Sequence, residues 1–487
     1  MTDQIWLKAG AVLVLCGAMA TALPAQTFTS LFSFDSSDGS QPVASMFQGT
    51  DAELYGTTAF VGQNGGGTIF KISTDGVLTT LYGFCLLPVC ADGAYPIGGL
   101  LQATSGDFYG TTQAGGSNSL SGTVFKFSLA GELTTLYNFC TQSDCDDGQS
   151  PYAGLIQDGH GNFFGTTLRG GTDGSGTLFK ITSSGAFTQL YNFGVGGSSP
   201  VADLVQVTSG DLFGTASHGG STNYCQGCGS IFKTTPGGSV ATIYSFCSLK
   251  GCPDGRAPAG GLLLANDGNF YGTTLHGGTN GTCPDGGCGT LFKVAPSGTL
   301  TTLYSFCSLT NCADGANPQA RLVEGTDGNF YGTTTSGGAN RYYGTVFKIT
   351  PSGTLTTLYS FCQKAACTDG EEPLGLMQAS NGVFYGTTSG GGVSLYGNGT
   401  VFSLDTGLGP FVKLQPAIGA PETVVGILGN NLESAGSVSF NGIAAEFEIA
   451  SNTLITAMVP AQATSGKVSV VTHAGTLLSN VPFRVQQ

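Results

Sequence analysis

Apolar residues along this chain come in short runs that alternate with polar ones, and Gly, Asp, Ser or Pro stand between the runs. One set reads GLLQAT (99–104), DFYGTT (107–112), GTVFKF (122–127) and LTTLYNF (133–139). The period of two, and the enrichment in Thr, Tyr, Phe and Val, predict β-strands, here called a to d. Tight turn sequences such as SGD, DGN and HGN join a to b, and TDG or PSG join c to d. No stretch has a helical period, so the chain reads as all-β.

The set repeats. Tyr55, Tyr109, Phe164, Phe213, Tyr271, Tyr331 and Tyr385 each precede the Gly of a YGTT-like box, at spacings of 49 to 60 residues. A G-[TS]-[IVL]-F box follows each, beginning at Gly67, Gly122, Gly176, Gly229, Gly289, Gly344 and Gly399. That period suits a four-stranded propeller blade and is too long for one coil of a β-helix. The phase is offset. A lone d string, TFTSLFSF (27–34), opens the series, six complete sets follow, and the last set stops after c at Leu404. The lone string therefore supplies the missing outer strand of the last set. This predicts a seven-bladed β-propeller closed by its N-terminal strand, an arrangement an open solenoid does not need.

Residues 1–25 carry one basic residue, Lys8, then an apolar run and small residues at Ala22 and Ala25. This is the pattern of a cleaved signal peptide, too short and too rich in Ala and Gly for a good membrane span. A lipid-anchored alternative would use Cys16, but the bulky Leu15 precedes it. The expectation is export, with no integral membrane segment after cleavage. A net charge of −14 disfavours nucleic acid and anionic membranes as partners.

Beyond Cys16, fourteen cysteines form seven local pairs. Five share the frame F-C-x4-C-x-D-G in the d–a loops: Cys85 with Cys90, Cys140 with Cys145, Cys247 with Cys252, Cys307 with Cys312, and Cys362 with Cys367. Cys225 with Cys228 and Cys283 with Cys288 lie in the b–c loops of blades 4 and 5. In an exported chain these read as disulfides, with a four-thiolate zinc site from the last two pairs, or a redox C-x-x-C, as alternatives.

The d–a and b–c loops share one face of a propeller, and all length variation falls there, which marks it as the functional face. The two d–a loops without cysteine, 34–42 and 193–200, are short and suggest a groove between them. Arg169, His218 and His276, just before the b–c Gly-Gly, are the candidate binding residues. The Asp residues before Gly in the d–a loops, the strand-c lysines and the strand-a glutamines recur in most blades, as turn and packing residues do. Calcium at the aspartates is the alternative. No catalytic signature, metal set or cofactor motif emerges, and Glu371, Glu372, Asp203 and Glu324 are only a loose pool of carboxylates.

After a linker at 407–410, residues 411–487 hold alternating runs that predict a small immunoglobulin-like β-sandwich. The strings GNNL (429–432), VSFNGIAA (438–445) and SNTLITAMVP (451–460) closely resemble the IPT/TIG domain, whose members are non-catalytic modules of secreted and cell-surface proteins. Over residues 27–405, DGNFYGTT and GTVFKI.PSGTLTTLYSF resemble the GloVer tandem repeats of exported bacterial proteins. That family is described as choice-of-anchor proteins ending in a surface-sorting signal; this chain departs from it by ending PFRVQQ. Together these features suggest a secreted binding, adhesion or scaffolding protein, with polysaccharide or another cell-surface protein as partner. The alternatives are a lyase or glycosidase working in the groove, and a purely structural envelope role.

Overall fold

The computed structural model describes residues 26–486 apart from 118–120, 195, 221, 281–282, 284–286 and 395–396, so the expected leader lies outside the described residues. The repeats form seven four-stranded antiparallel sheets. In blade 2 the strands are Leu101–Gln102, Phe108–Thr112, Thr123–Phe127 and Leu133–Asn138, in the order a-b-c-d. Blade 7 takes its outer strand from the start of the chain. Thr27–Ser33 runs antiparallel to Thr400–Asp405, with Phe28 opposite Leu404.

Each junction between blades has its own apolar core. Tyr55, Ile69 and Phe84 of blade 1 pack on Leu100, Phe108 and Phe125 of blade 2. At the closing junction Met377, Tyr385 and Val401 of blade 7 meet Met46, Leu54 and Phe70 of blade 1. Ser380 N–H also donates to Gln48 Oε1 across this junction, at 2.9 Å. The ring is therefore sealed by burial and by hydrogen bonds, and strand c of the last blade is covered by the N-terminal strand.

The YGTT box owes its glycine to this packing. The tip of the strand-c Phe ring sits against the glycine, and a Cβ at Gly165 would stand 2.6 Å from Phe179 Cζ and 2.8 Å from Leu155 Cδ2. Gly165→Ala is expected to cost about 1–3 kcal/mol, the usual range for overpacking, and to lower the midpoint of thermal unfolding accordingly. An unchanged midpoint would contradict this account of the box.

Strand a is shorter than the sequence pattern suggests. In six blades only two residues join the ladder, Leu101–Gln102 among them, while blade 7 uses Glu371–Gln378. The residues before the ladder crowd the ring axis instead, where a Cβ at Gly98 would meet Ala153 O of the next blade at 2.7 Å.

The repeating polar residues are scaffold. Asp92, Asp147, Asp254, Asp314 and Asp369 are buried. Each accepts the hydroxyl of a strand-d tyrosine, Tyr82, Tyr137, Tyr244, Tyr304 or Tyr359, at 2.7–2.9 Å. They also accept backbone N–H groups at the start of the d–a loop, as Asp147 does from Thr141 at 3.0 Å. Lys126, Lys233 and Lys293 pair with a–b turn aspartates at 2.7–2.8 Å. Gln102 and Gln157 accept N–H groups from the preceding blade, at Thr50 and Thr104.

All seven expected cysteine pairs are joined as disulfides. In the d–a loops Cys85 is bonded to Cys90, Cys140 to Cys145, Cys247 to Cys252, Cys307 to Cys312 and Cys362 to Cys367. In the b–c loops Cys225 is bonded to Cys228 and Cys283 to Cys288. The second cysteine of each d–a pair also shapes the loop through its backbone. The carbonyls of Cys90, Cys145 and Cys252 each accept two N–H groups, those of Gly93 and Gly116, Gly148 and Gly171, and Gly255 and Gly278. The pair thus ties the d–a loop to the b–c Gly-Gly of the next blade along the chain.

The C-terminal residues form a sandwich. One sheet holds Lys413–Gln415, Val424–Leu428, Leu454–Met458 and Phe447–Ser451. The other holds Ile443–Ala445, Ser437–Phe440, Val468–Thr472 and Gly475–Leu478. Ile427, Val438, Phe440, Ile455, Val470 and Phe483 fill the space between them. The sandwich docks on the tight-turn face of the ring. Gln415 Nε2 donates to Gln102 O, Thr453 Oγ1 to Thr50 O, Asn430 Nδ2 to Ser380 Oγ and Arg484 Nη2 to Ala265 O.

Candidate functional site

On the opposite face each d–a loop is bridged to the b–c loop of the blade it leads into. Ala94 pairs with Ala114, Gln149 with Arg169, Ser198 with His218, Arg256 with His276 and Ala316 with Ser336. These pairings confirm that the two loop sets share a face. They also place the three candidate residues on one rung of three successive blades. Arg169 and His218 are exposed, and His276 is half-buried.

The concavity these residues reach is axial and is not a groove between the two short loops. It is a cavity of about 1010 Å³ along the ring axis, with His218 and His276 at its rim, whereas Arg169 is not among its lining residues. Tyr152 and Arg256 also stand in its wall, and Lys413, Asn480 and Val481 of the sandwich line its floor. Among the described residues Arg256 Nε is buried without a hydrogen-bond partner.

Most of the wall is strand a, and one position there breaks the repeat. Three residues after the loop proline stand Ser45, Gly99, Gly154, Asp203, Gly261 and Arg321, and Gly375 takes the same place in the slightly shorter blade 7. Small residues are what a crowded axis requires, so Asp203 and Arg321 are the exceptions. They flank Gly261: a Cβ there would lie 3.4 Å from Asp203 O and 3.6 Å from Arg321 Cδ. Gly154 N–H donates to Asp203 Oδ1 at 2.7 Å. Arg321 keeps solvent-accessible surface, but that surface faces the lumen and protein surrounds it.

The electrostatics follow from this enclosure. Burial lowers the pKa of Arg321, with Asp203 offsetting part of the effect. Lys413, half-buried at the floor, is pushed down to about 8, first by burial and then by the Arg321 charge. Glu324 is raised, mainly by burial, against the pull of Lys467 and Arg484, and it accepts Asn266 N–H at 3.0 Å. Of the carboxylate pool, Asp203 and Glu324 line the cavity, whereas Glu371 and Glu372 do not.

The b–c cysteine pairs do not meet each other as the zinc alternative required. Cys283 and Cys288 cluster with Cys307 and Cys312, and Cys225 and Cys228 with Cys247. Cys362 and Cys367 lie beside Glu371, while Cys85, Cys90, Cys140, Cys145 and Cys252 join no such cluster among the described residues. As disulfides these sulfurs are not thiolate ligands. Of all fourteen, Cys228 alone lines the cavity among the described residues, so the pairs fasten loops and do not build the site.

Sequence reasoning missed Arg256, Arg321 and Lys413. For Arg321 a signal was present: a charge at a position that most blades fill with glycine. For Lys413 there was none, because only the docking of the sandwich brings it to the axis.

The Gloeobacter/Verrucomicrobia repeat model matches residues 16–226 and 222–419, and the IPT/TIG model matches 411–485. No curated protein matches. Among solved structures, the extracellular domain of a proposed one-component system from B. thetaiotaomicron is 11% identical, with a TM-score of 0.49 over 95% of this chain and 58% of that one. A luciferin-regenerating enzyme is 12% identical, with a TM-score of 0.41 over 80% of this chain and 98% of that one. A proposed gluconolactonase is 10% identical, with a TM-score of 0.39 over 80% of this chain and 94% of that one. Likeness at this level carries nothing about activity, and the blade count rests on the strand pairing alone.

Proposed function

We propose, for a chain that belongs to the Gloeobacter/Verrucomicrobia repeat family and ends in an IPT/TIG domain, that it is an extracellular, non-catalytic binding protein whose ligand meets the long-loop face. The observation that carries this reading is where the repeat is broken. Lysines, glutamines, aspartates and tyrosines recur around the ring as fasteners, whereas Asp203, Arg256 and Arg321, which do not recur, converge with the two histidines on one axial cavity. Seven disulfides support an oxidising setting. Among the described residues no helix is long and apolar enough to cross a membrane.

Carbohydrate is the ligand class that a surface of low charge, rich in Tyr, Asn and Thr, suits best. A second reading, a lyase or glycosidase, draws on Asp203 and Glu324 lining one cavity. Both carboxylates are engaged by backbone N–H groups, of Gly154 and Asn266, which favours positioning over proton transfer. A glycan and polysaccharide array with residues 26–487 tests the choice. Retention on sugar spots without released product is the expected result; shortened sugar would replace the binding reading with the enzymatic one.

A further inference from the structure

The axial cavity is cationic inside an acidic protein. The chain carries a net charge of −14, yet Arg321 and Lys413 face one lumen, with Asp203 beside Arg321 as the nearby counter-charge. Among the described residues neither cation has a hydrogen bond or ion pair with protein. The remaining titratable groups of the lining do not neutralise them. Glu324 is buried and bonded to Asn266 N–H, and Arg256, His218 and His276 sit toward the rim.

Two like charges that face one lumen repel, and an anion bound between them offsets that repulsion. The lining mixes glycines and alanines with apolar side chains such as Val43 and Ile97, and has Ser45 and Gln319 among its polar side chains. Such a wall leaves room and offers peptide groups to a hydroxylated ligand, and a volume of about 1010 Å³ is enough for one or two sugar rings.

We propose that the axial cavity binds a small carboxylate of the sugar-acid class, its carboxylate lying between Arg321 and Lys413 and its hydroxyl groups against the strand-a backbone. Arg321 is suited to a carboxylate because its planar donors match the two oxygens. The inference rests on the long-loop face being the ligand side and names what enters it.

The test is titration calorimetry of residues 26–487, in low salt at pH 7, with D-galacturonate, D-glucuronate, D-galactose and inorganic phosphate. The expected result is that at least one uronate binds, that galactose does not, and that Arg321→Met and Lys413→Met each weaken the uronate at least tenfold while thermal unfolding of the free protein is unchanged or raised. Asp203→Asn removes the competing carboxylate and is expected to leave uronate binding as tight or tighter. Lack of uronate binding, binding of phosphate alone, or uronate binding that survives both cation substitutions would each overturn the proposal. If a cation variant fails to fold, competition between chloride and uronate on the unaltered protein decides the point, since an anion site must lose affinity as salt displaces its ligand. Absent uronate binding with neutral glycans still retained on the array sinks this inference alone. Uronate binding with a silent array sinks only the surface reading.

Discussion

A chain that begins at Asp35 is expected to lose the closed ring, and with it cooperative folding. The missing segment is the whole outer strand of blade 7, paired from Thr27–Asp405 to Ser33–Thr400. Its side chains are anchors as well. The Phe28 ring stacks on Tyr359 at 3.7 Å and lies 5.5 Å from Phe402, while Leu31 and Phe32 pack against the core shared by blades 7 and 1. At about 25 cal/mol per Å² of apolar surface, three half-buried side chains of this size contribute roughly 1 kcal/mol each, and the fully buried Phe34, lost with them, about 2 kcal/mol. The strand hydrogen bonds and the newly exposed edge add to that. The sum is a large part of the 5–15 kcal/mol that usually separates folded from unfolded. The truncated chain should aggregate on expression or melt at least about 10 °C below residues 26–487. Phe28→Ala, which keeps the strand, should cost about 2 kcal/mol. Thermal unfolding followed by circular dichroism reads both, and equal melting of the truncated and full chains would refute closure by the N-terminal strand.

The tyrosine–aspartate fasteners predict steep loss of stability in alkali. Burial, and in part the hydrogen bond to an aspartate, pushes Tyr137, Tyr244 and Tyr304 up to about 12, and Tyr82 and Tyr359 are raised further. In the unfolded chain a tyrosine titrates near pH 10. Below that pH both states hold the proton, and the contribution of these residues is fully present. As pH rises from 10 toward 12 the unfolded chain releases protons that the folded one keeps, and stability is lost. The slope is at most about 1.4 kcal/mol per pH unit for each tyrosine. After a discount for partial solvent exposure, the five together should remove several kcal/mol between pH 10 and 12. Tyr137→Phe separates this from general alkaline damage. It should be about 1 kcal/mol less stable at pH 7, having lost a hydrogen bond, yet its stability should fall less steeply above pH 10. Short-exposure urea unfolding at pH 7, 10 and 11.5 reads the difference, and parallel pH profiles for the two proteins would contradict it.

The architecture was legible because the repeat expresses its physics in every copy. The lone TFTSLFSF string and the missing strand after Leu404 give the phase, and the Thr27–Asp405 pairing realises it. The shared F-C-x4-C-x-D-G frame gave the pairs, and its aspartate proved to be the tyrosine acceptor. The site was only half legible. His218 and His276 stood out because they depart from the small or apolar residues at their position, and both reach the cavity rim. Arg169 stood out for the same reason but stays outside the cavity lining, since a rung position does not fix where a long side chain points. Asp203 was visible only as one of a loose pool of carboxylates, and Arg321, although a charge at a mostly glycine position, sits in a run that reads as a buried strand. Only the convergence of seven strands on one axis turns their position into the lumen. Lys413 belongs to another domain, and no pattern within the repeat could bring it there.

Hydrogen–deuterium exchange of residues 26–487, with and without a soluble uronate-containing polysaccharide hydrolysate, tests most directly whether the axial cavity is where this protein meets its ligand. Slowed exchange confined to the strand-a segments 43–47, 152–156, 201–206 and 319–324 and to the rim around His218 and Arg256 is the predicted result. Slowed exchange only at the tight turns or on the sandwich, or none at saturating ligand, would contradict it.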